Sequence, residues 1–179
     1  DSLNQLVWWG EEKLGKDISL RINSGFGAGH HRRVITGGAA SKFGIYHSDI
    51  PGAIGIAKKF KLKISGLHQH IGSNILDEKT FLRGARLISS LAKSFPDIMR
   101  VDIGGGLGIP YRPNEKPFNV RSFGSSLTKI FEDLSKYHGS NIELSLEPGR
   151  YLLAEAGGLL TEVTDIKKTP KNLFVGVNS

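Results

Sequence analysis

Apolar Ile18, Leu20 and Ile22 alternate with Ser19, Arg21 and Asn23, the period-two pattern of a strand with one apolar face. Ahead of it, DSLNQLVWWG opens with Ser2 and places Gln5 at a capping-box spacing, which predicts a helix start. In SDIPGAIGIAKKF, Ser48 or Asp49 can cap a second helix, with Pro51 in the first turn where its missing N–H costs nothing. A strand is predicted from Leu62 to Ile71. Then Phe81, Leu82, Ala85, Ile88, Leu91, Ala92 and Phe95 recur at helical spacing behind an Asp77 cap, and Pro96 ends the run. The strand Met99 to Ile103 runs into GGGLG. Phe123, Leu127, Ile130, Phe131 and Leu134 stripe another helix, and the strand Ile142 to Leu146 meets EPGR. GLLTEVTDIKK and NLFVGVNS read as two more strands.

Repeated strand and helix units imply parallel strands with crossovers, hence an α/β fold that is either an open doubly wound sheet or a (β/α)8 TIM-type barrel. The strand faces favour the barrel. Ile18, Leu20 and Ile22, then Met99, Val101 and Ile103, then Ile142, Leu144 and Leu146 form apolar faces, while the opposite faces carry Ser19, Arg21, Asn23, Asp102, Glu143, Ser145 and Glu147. Both faces of a doubly wound sheet lie under helices and should be apolar, whereas a barrel places polar groups at its mouth. The unusual clusters also sit at the C-terminal ends of strands, where barrel enzymes build their sites.

Composition narrows the function without choosing it. The 179 residues are 39% hydrophobic and 23% charged, an ordinary globular mixture. The net charge of +7 is spread over several segments with no basic run of five and no aromatic-interleaved basic stripe, which disfavours nucleic acid. The largest basic clusters, His30 to Arg33 and Lys167 to Lys171, read as solvated loops. Cysteine is absent, which excludes disulfides and thiolate metal sites and is compatible with a reducing compartment. No apolar run approaches the roughly 18 residues of a membrane span, so a cytoplasmic protein without membrane contact is expected.

In GLHQHIGSNI, the period-two reading puts Gly66, His68 and His70 on one face just before a turn. Singly, both histidines also suit a polar barrel lining, and as metal ligands they lack a third residue in their segment. Gly104, Gly105 and Gly106 offer amides without side chains, a cup for a phosphate dianion, or simply a turn. Ser73 adds a hydroxyl or caps the next helix, and Arg150 adds a guanidinium fork or is a surface residue. Glu147 has the opposite sign and needs a protonated partner such as a ring nitrogen. Phosphate donors, a carboxylate for a pyridinium and a flat imidazole together describe a site for pyridoxal 5'-phosphate (PLP).

GLHQHIGSNI, VDIGGGLGIPY, SLEPGRYLLAEAG and RINSGFGAGHH with SKFGI resemble, in order and spacing, the barrel domain of the diaminopimelate decarboxylase family. That family belongs to the alanine-racemase-like, fold type III PLP enzymes, together with the ornithine and arginine decarboxylases. The resemblance implies that His70 stacks on the cofactor ring, Ser73 contacts its phosphate and Gly104, Gly105 and Gly106 cradle that phosphate. It implies that Glu147 holds the pyridine nitrogen protonated, that Gly149 and Arg150 of EPGR also bind cofactor, and that Arg150 reaches the substrate's distal carboxylate. The implied activity is decarboxylation of meso-diaminopimelate to L-lysine by a homodimer, with His70 and Glu147 as the catalytic pair. The alternatives are a decarboxylase of another basic amino acid or polyamine precursor, or a non-catalytic homologue that binds a partner protein.

The family's lysine that bonds the cofactor lies in a motif like YAxKAN, which this sequence lacks. Lys63 stands at the entry end of its strand and Lys42 matches a different family lysine, so neither is nominated. The family's C-terminal β-rich domain is likewise expected to be absent. Residues 1 to 179 are therefore expected to be part of one PLP-binding barrel domain, inactive alone.

Overall fold

A computed structural model describes residues 1–28 and 36–179. The basic cluster His30 to Arg33 and the end of RINSGFGAGHH lie outside the described residues. The elements are α1 (Leu3–Glu11), β1 (Asp17–Asn23), β2 (Ile45–Tyr46), a 3-10 turn (His47–Asp49), α2 (Ile50–Phe60), β3 (Lys63–His68), α3 (Glu78–Ala92), β4 (Arg100–Asp102), α4 (Val120–His138), β5 (Glu143–Ser145), α5 (Gly149–Leu153), β6 (Val163–Lys168) and β7 (Leu173–Val177).

Five strands form a parallel sheet in the order β2-β1-β3-β4-β5, with β2 and β5 at its edges. The register explains why its two faces differ. Leu20, Leu67, Val101 and Leu144 lie side by side across β1, β3, β4 and β5 and make an apolar row. Leu20, Leu67 and Val101 are buried, in one core with Phe81, Ala85 and Ile88 of α3 and Phe123, Leu127 and Phe131 of α4. Phe81, Phe118 and Phe123 meet edge to face, with centroids 5.2 to 6.3 Å apart. On the other face Arg21, His68, Asp102 and Ser145 form a polar row in register. A neighbouring row places Ser19, Gly66 and Arg100 together, and Arg100 Nη2 donates to Ser19 Oγ at 3.4 Å. A Cβ on Gly66 would run into that hydroxyl. A sheet with one greasy and one polar face matches the barrel reading.

Local chemistry starts the helices. Ser2 Oγ accepts the Gln5 N–H at 3.2 Å. Asp77 accepts the Thr80 N–H at 2.9 Å, the Thr80 hydroxyl at 2.6 Å and the Lys79 N–H at 3.3 Å. Asn119 caps α4 through the Ser122 N–H at 3.0 Å. Asp49 holds the α2 cap position but makes no capping bond, because a 3-10 turn already leads the chain into the helix.

Several expected strands are shorter in the structure, since each pairs only where both neighbours run parallel and leaves the sheet as it enters a turn. Met99 precedes β4 and is 58% exposed, so it does not belong to the apolar face. The two last strands also differ from the alternating units. β6 and β7 make an antiparallel hairpin closed by a turn at 169–172, because no helix separates them to serve as a crossover. Every residue of both strands is exposed. No helix among the described residues is long and apolar enough to cross a membrane.

Candidate functional site

The C-terminal ends of β3, β4 and β5 meet around the glycine turn that follows β4. Gly104 has φ 75° and Gly106 φ 108°, both in the region that side chains rarely adopt. Space is equally restrictive. A Cβ on Gly104 would strike the carbonyl oxygen of Gln69, one on Gly105 that of Glu147, and one on Gly106 that of Gly72. The three glycines are thus the contact points of three strand ends. Backbone bonds close the same joint: Gln69 N donates to Asp102 O at 3.0 Å, Glu147 N to Gly104 O at 3.0 Å and Ile75 N to Gly106 O at 2.9 Å.

Two of the glycine amides have partners within the chain. Gly104 N–H donates to Asp102 Oδ1 at 2.7 Å, and Gly105 N–H to His70 Nδ1 at 3.2 Å. Gly106 N–H has no protein acceptor among the described residues and stays available to a ligand. Ser73 directly follows Gly72, whose carbonyl lies against Gly106. Neighbouring Asn74 accepts the Ile109 N–H at 3.1 Å and so holds the segment after the glycines against that after His70.

His70 is half-buried, and its carbonyl accepts the Thr36 hydroxyl at 2.9 Å. Burial depresses its pKa below 6.5 first, and the positive charge of Arg21 and the neighbouring His68 add to the effect; Glu147 and Asp102 pull the other way. The ring is therefore held neutral, with Nδ1 as acceptor and the proton on Nε2.

His68 Nε2 lies 3.4 Å from Glu147 Oε2, at ion-pair distance but outside hydrogen-bond alignment. That nitrogen is otherwise buried without a partner, whereas the Glu147 side chain is 56% exposed. One ligand-type atom each of His68, Asp102 and Glu147 falls within 4.8 Å of the others. The sequence pattern offered the histidines no third neighbour because Asp102 and Glu147 arrive from two other strands. Asp102 Oδ1 accepts the Gly104 N–H, so the trio reads as a polar cluster beside the glycine joint.

Arg150 lies in the first turn of α5, after Glu147 and Pro148, and the Gly149 N–H donates to Glu147 O at 2.9 Å. Arg150 Nη1 donates to Tyr111 Oη at 2.9 Å, a partner that the sequence pattern did not single out. The structure thus gathers His70, Gly104, Gly105, Gly106 and Glu147 directly, with Ser73, Gly149 and Arg150 on the segments beside them. Lys63 stands at the other end of β3, with Nζ 3.9 Å from Asp17, and Lys42 lies over the Phe43 ring. A cleft lined by Trp8, Trp9, Ile18 and Leu20 shares none of the glycine-turn residues.

Comparison with known proteins places this joint in a family. Residues 1–154 match the model described as "Pyridoxal-dependent decarboxylase, pyridoxal binding domain". The chain is 39% identical to diaminopimelate decarboxylase of Methanothermobacter thermautotrophicus over all of its own length and 43% of that protein. It is 31% identical to the Escherichia coli K12 diaminopimelate decarboxylase over all of this chain and 42% of the relative. A crystal structure of diaminopimelate decarboxylase superposes with TM-score 0.86 at 31% identity, covering 99% of this chain and 42% of that one. The Helicobacter pylori diaminopimelate decarboxylase complexed with L-lysine superposes with TM-score 0.81 at 29% identity, over all of this chain and 45% of that one. The chain thus spans less than half the length of these relatives. With a parallel α/β sheet, a glycine joint at its C-terminal edge and a family match over most of its residues, the chain belongs to the pyridoxal-dependent decarboxylases, within their pyridoxal-binding domain.

Proposed function

We propose that the protein containing this chain decarboxylates meso-diaminopimelate to L-lysine with PLP as cofactor. One observation carries the reading: Glu147, His70 and the glycine turn Gly104 to Gly106 converge from three strand ends. Such a joint suits a phosphorylated nitrogen heterocycle, because it offers an exposed carboxylate, a fixed neutral imidazole and the unengaged Gly106 amide within one cluster. The orphaned His68 Nε2 beside Glu147 also fits a site whose polar contacts are completed by a ligand.

When bound, PLP supplies an electron sink for the bond to the departing carboxylate, and it does so best with its ring nitrogen protonated. The chain's own groups set that condition. Glu147 keeps a proton on the ring nitrogen, with His68 steadying the carboxylate from the side. His70, locked by Gly105, presents a flat face for stacking and cannot reorient without breaking the Nδ1 bond. Gly106 N–H and the Ser73 hydroxyl serve the phosphate, with Gly149 and the glycine joint shaping its surroundings. Arg150 is the cation for the carboxylate at the substrate's far end.

The same reading makes the intact enzyme a cytoplasmic homodimer acting on a small amino acid. The test is carbon dioxide release by the purified full-length protein, supplied with PLP, from meso-diaminopimelate, ornithine, arginine and lysine in parallel. Release from diaminopimelate alone supports the proposal. Preference for another of these amino acids moves the protein to a sister activity, and no release from any of them reinstates the non-catalytic homologue.

A further inference from the structure

The loop after the glycine turn contains a device that the cofactor reading does not use. Glu115 is half-buried, and its Oε2 accepts the N–H of Tyr111 at 2.7 Å and that of Arg112 at 3.2 Å. The Glu115 N–H in turn donates to Arg112 O at 3.0 Å. One carboxylate thus staples residues 111 to 115 into a compact turn and fixes the backbone from which Tyr111 projects.

Tyr111 then meets Arg150. Its hydroxyl oxygen accepts from Arg150 Nη1 at 2.9 Å, and the guanidinium carbon sits 5.8 Å from its ring centroid. Among the described residues no carboxylate lies within ion-pair distance of Arg150. The acid on the same loop, Glu115, is turned to its own backbone instead. Arg150 is therefore aimed by a neutral partner that occupies a single donor and leaves both the charge and the rest of the fork available. A carboxylate in place of Tyr111 would aim the side chain equally well, but it would compete with any anionic ligand.

We propose that Tyr111, held by the Glu115 staple, is a positioning residue that presents Arg150 to the non-reacting α-carboxylate of the amino-acid substrate. The inference rests on the decarboxylase reading and adds to it a residue that sets specificity for a carboxylate-bearing far end. Tyr111 touches the arginine, not the reacting atoms, so its effect belongs in ground-state recognition rather than in the chemical step.

The test uses the full-length enzyme loaded with PLP and the variant Tyr111→Phe, which keeps the ring and removes the hydroxyl. The expected result is a KM for diaminopimelate and a calorimetric Kd for L-lysine both raised about tenfold, with kcat within about twofold of wild type. Binding of 1,5-diaminopentane, which has the amines of lysine but no carboxylate, stays unchanged. Unaltered lysine affinity overturns the proposal, as does an equal loss for lysine and diaminopentane. Should Tyr111→Phe fail to fold, Glu115→Gln must reproduce the lysine-against-diaminopentane split, and wild-type lysine affinity in that variant overturns it. A wild-type enzyme that releases no carbon dioxide from diaminopimelate removes the decarboxylase reading itself, a failure read without any variant.

Discussion

The backbone N–H of Gly105 donates to His70 Nδ1 at 3.2 Å, so a main-chain amide from the turn after β4 sets the tautomer of a side chain beyond the end of β3. Protonation of His70 at Nδ1 would put a hydrogen where that bond already has one. Geometry and burial therefore act in the same direction, toward the neutral ring.

The sign of the pH dependence follows. The folded-state pKa of His70 lies below the unfolded value of 6.5, so on acidification the unfolded chain takes up this proton first. The His70 contribution to stability is complete above pH 6.5 and is lost as pH falls through the lowered folded pKa. NMR titration of the ring carbon protons should show a midpoint below 6.5, and a midpoint above 6.5 contradicts the assignment.

Gly104→Ala should cost at least about 2 kcal/mol, from the left-handed backbone and from the Gln69 carbonyl that the new methyl meets. Gly149→Ala is the matched control. It lies in α5 with nothing within 4 Å of an added Cβ, so its stability should equal or slightly exceed wild type. Chemical denaturation of both variants checks the contrast, and equal losses would dismiss the joint.

Asp77→Ala should lose about 1 kcal/mol, the usual cost of removing a helix cap. The Thr80 hydroxyl bond is the main cause that holds the Asp77 pKa below 3.8, assisted by the Thr80 and Lys79 amides. Wild type and variant should therefore differ above pH 3.8 and converge as acid neutralises the cap. Urea midpoints across that range measure the difference.

In the full-length enzyme, Glu147→Gln should lower kcat by at least about 100-fold while PLP binding, followed by cofactor absorbance, changes little. The amide cannot hold a proton on the ring nitrogen, but the glycine joint is untouched. Near-wild-type turnover would take Glu147 out of its assigned role.

Much of this was legible because the information is local. Alternation within each strand put Leu20, Val101 and Leu144 on apolar faces and Arg21, Asp102 and Ser145 on polar ones, and the structure sets them in matching rows. Ser2 and Asp77 declare their helix starts within a few residues. What escaped depends on register between distant strands. Nothing near His68 announces Glu147, and nothing near Tyr111 announces Arg150, since each pair forms only when separate segments are brought together. The glycines gave a partial signal. Their lack of side chains suggested open amides, whereas Gly104 and Gly105 use theirs on Asp102 and His70 and need their bareness for backbone contact. The two last segments were legible as strands, but their antiparallel pairing was not, because short apolar alternation looks alike in parallel and antiparallel strands.

The glycine joint also has a consequence in time. Its contacts run from Gln69 through Gly104 to Glu147, so closing it requires chain segments separated by long loops and two helices. Contacts of such sequence separation form slowly, after their loop entropy has been overcome. The aromatic contact between Phe81 of α3 and Phe123 of α4 spans a comparable stretch of chain, so the glycine joint and the helical core close together. A partly unfolded chain therefore holds no half-formed joint, since the strand ends that meet at Gly104 to Gly106 come together only with the sheet itself.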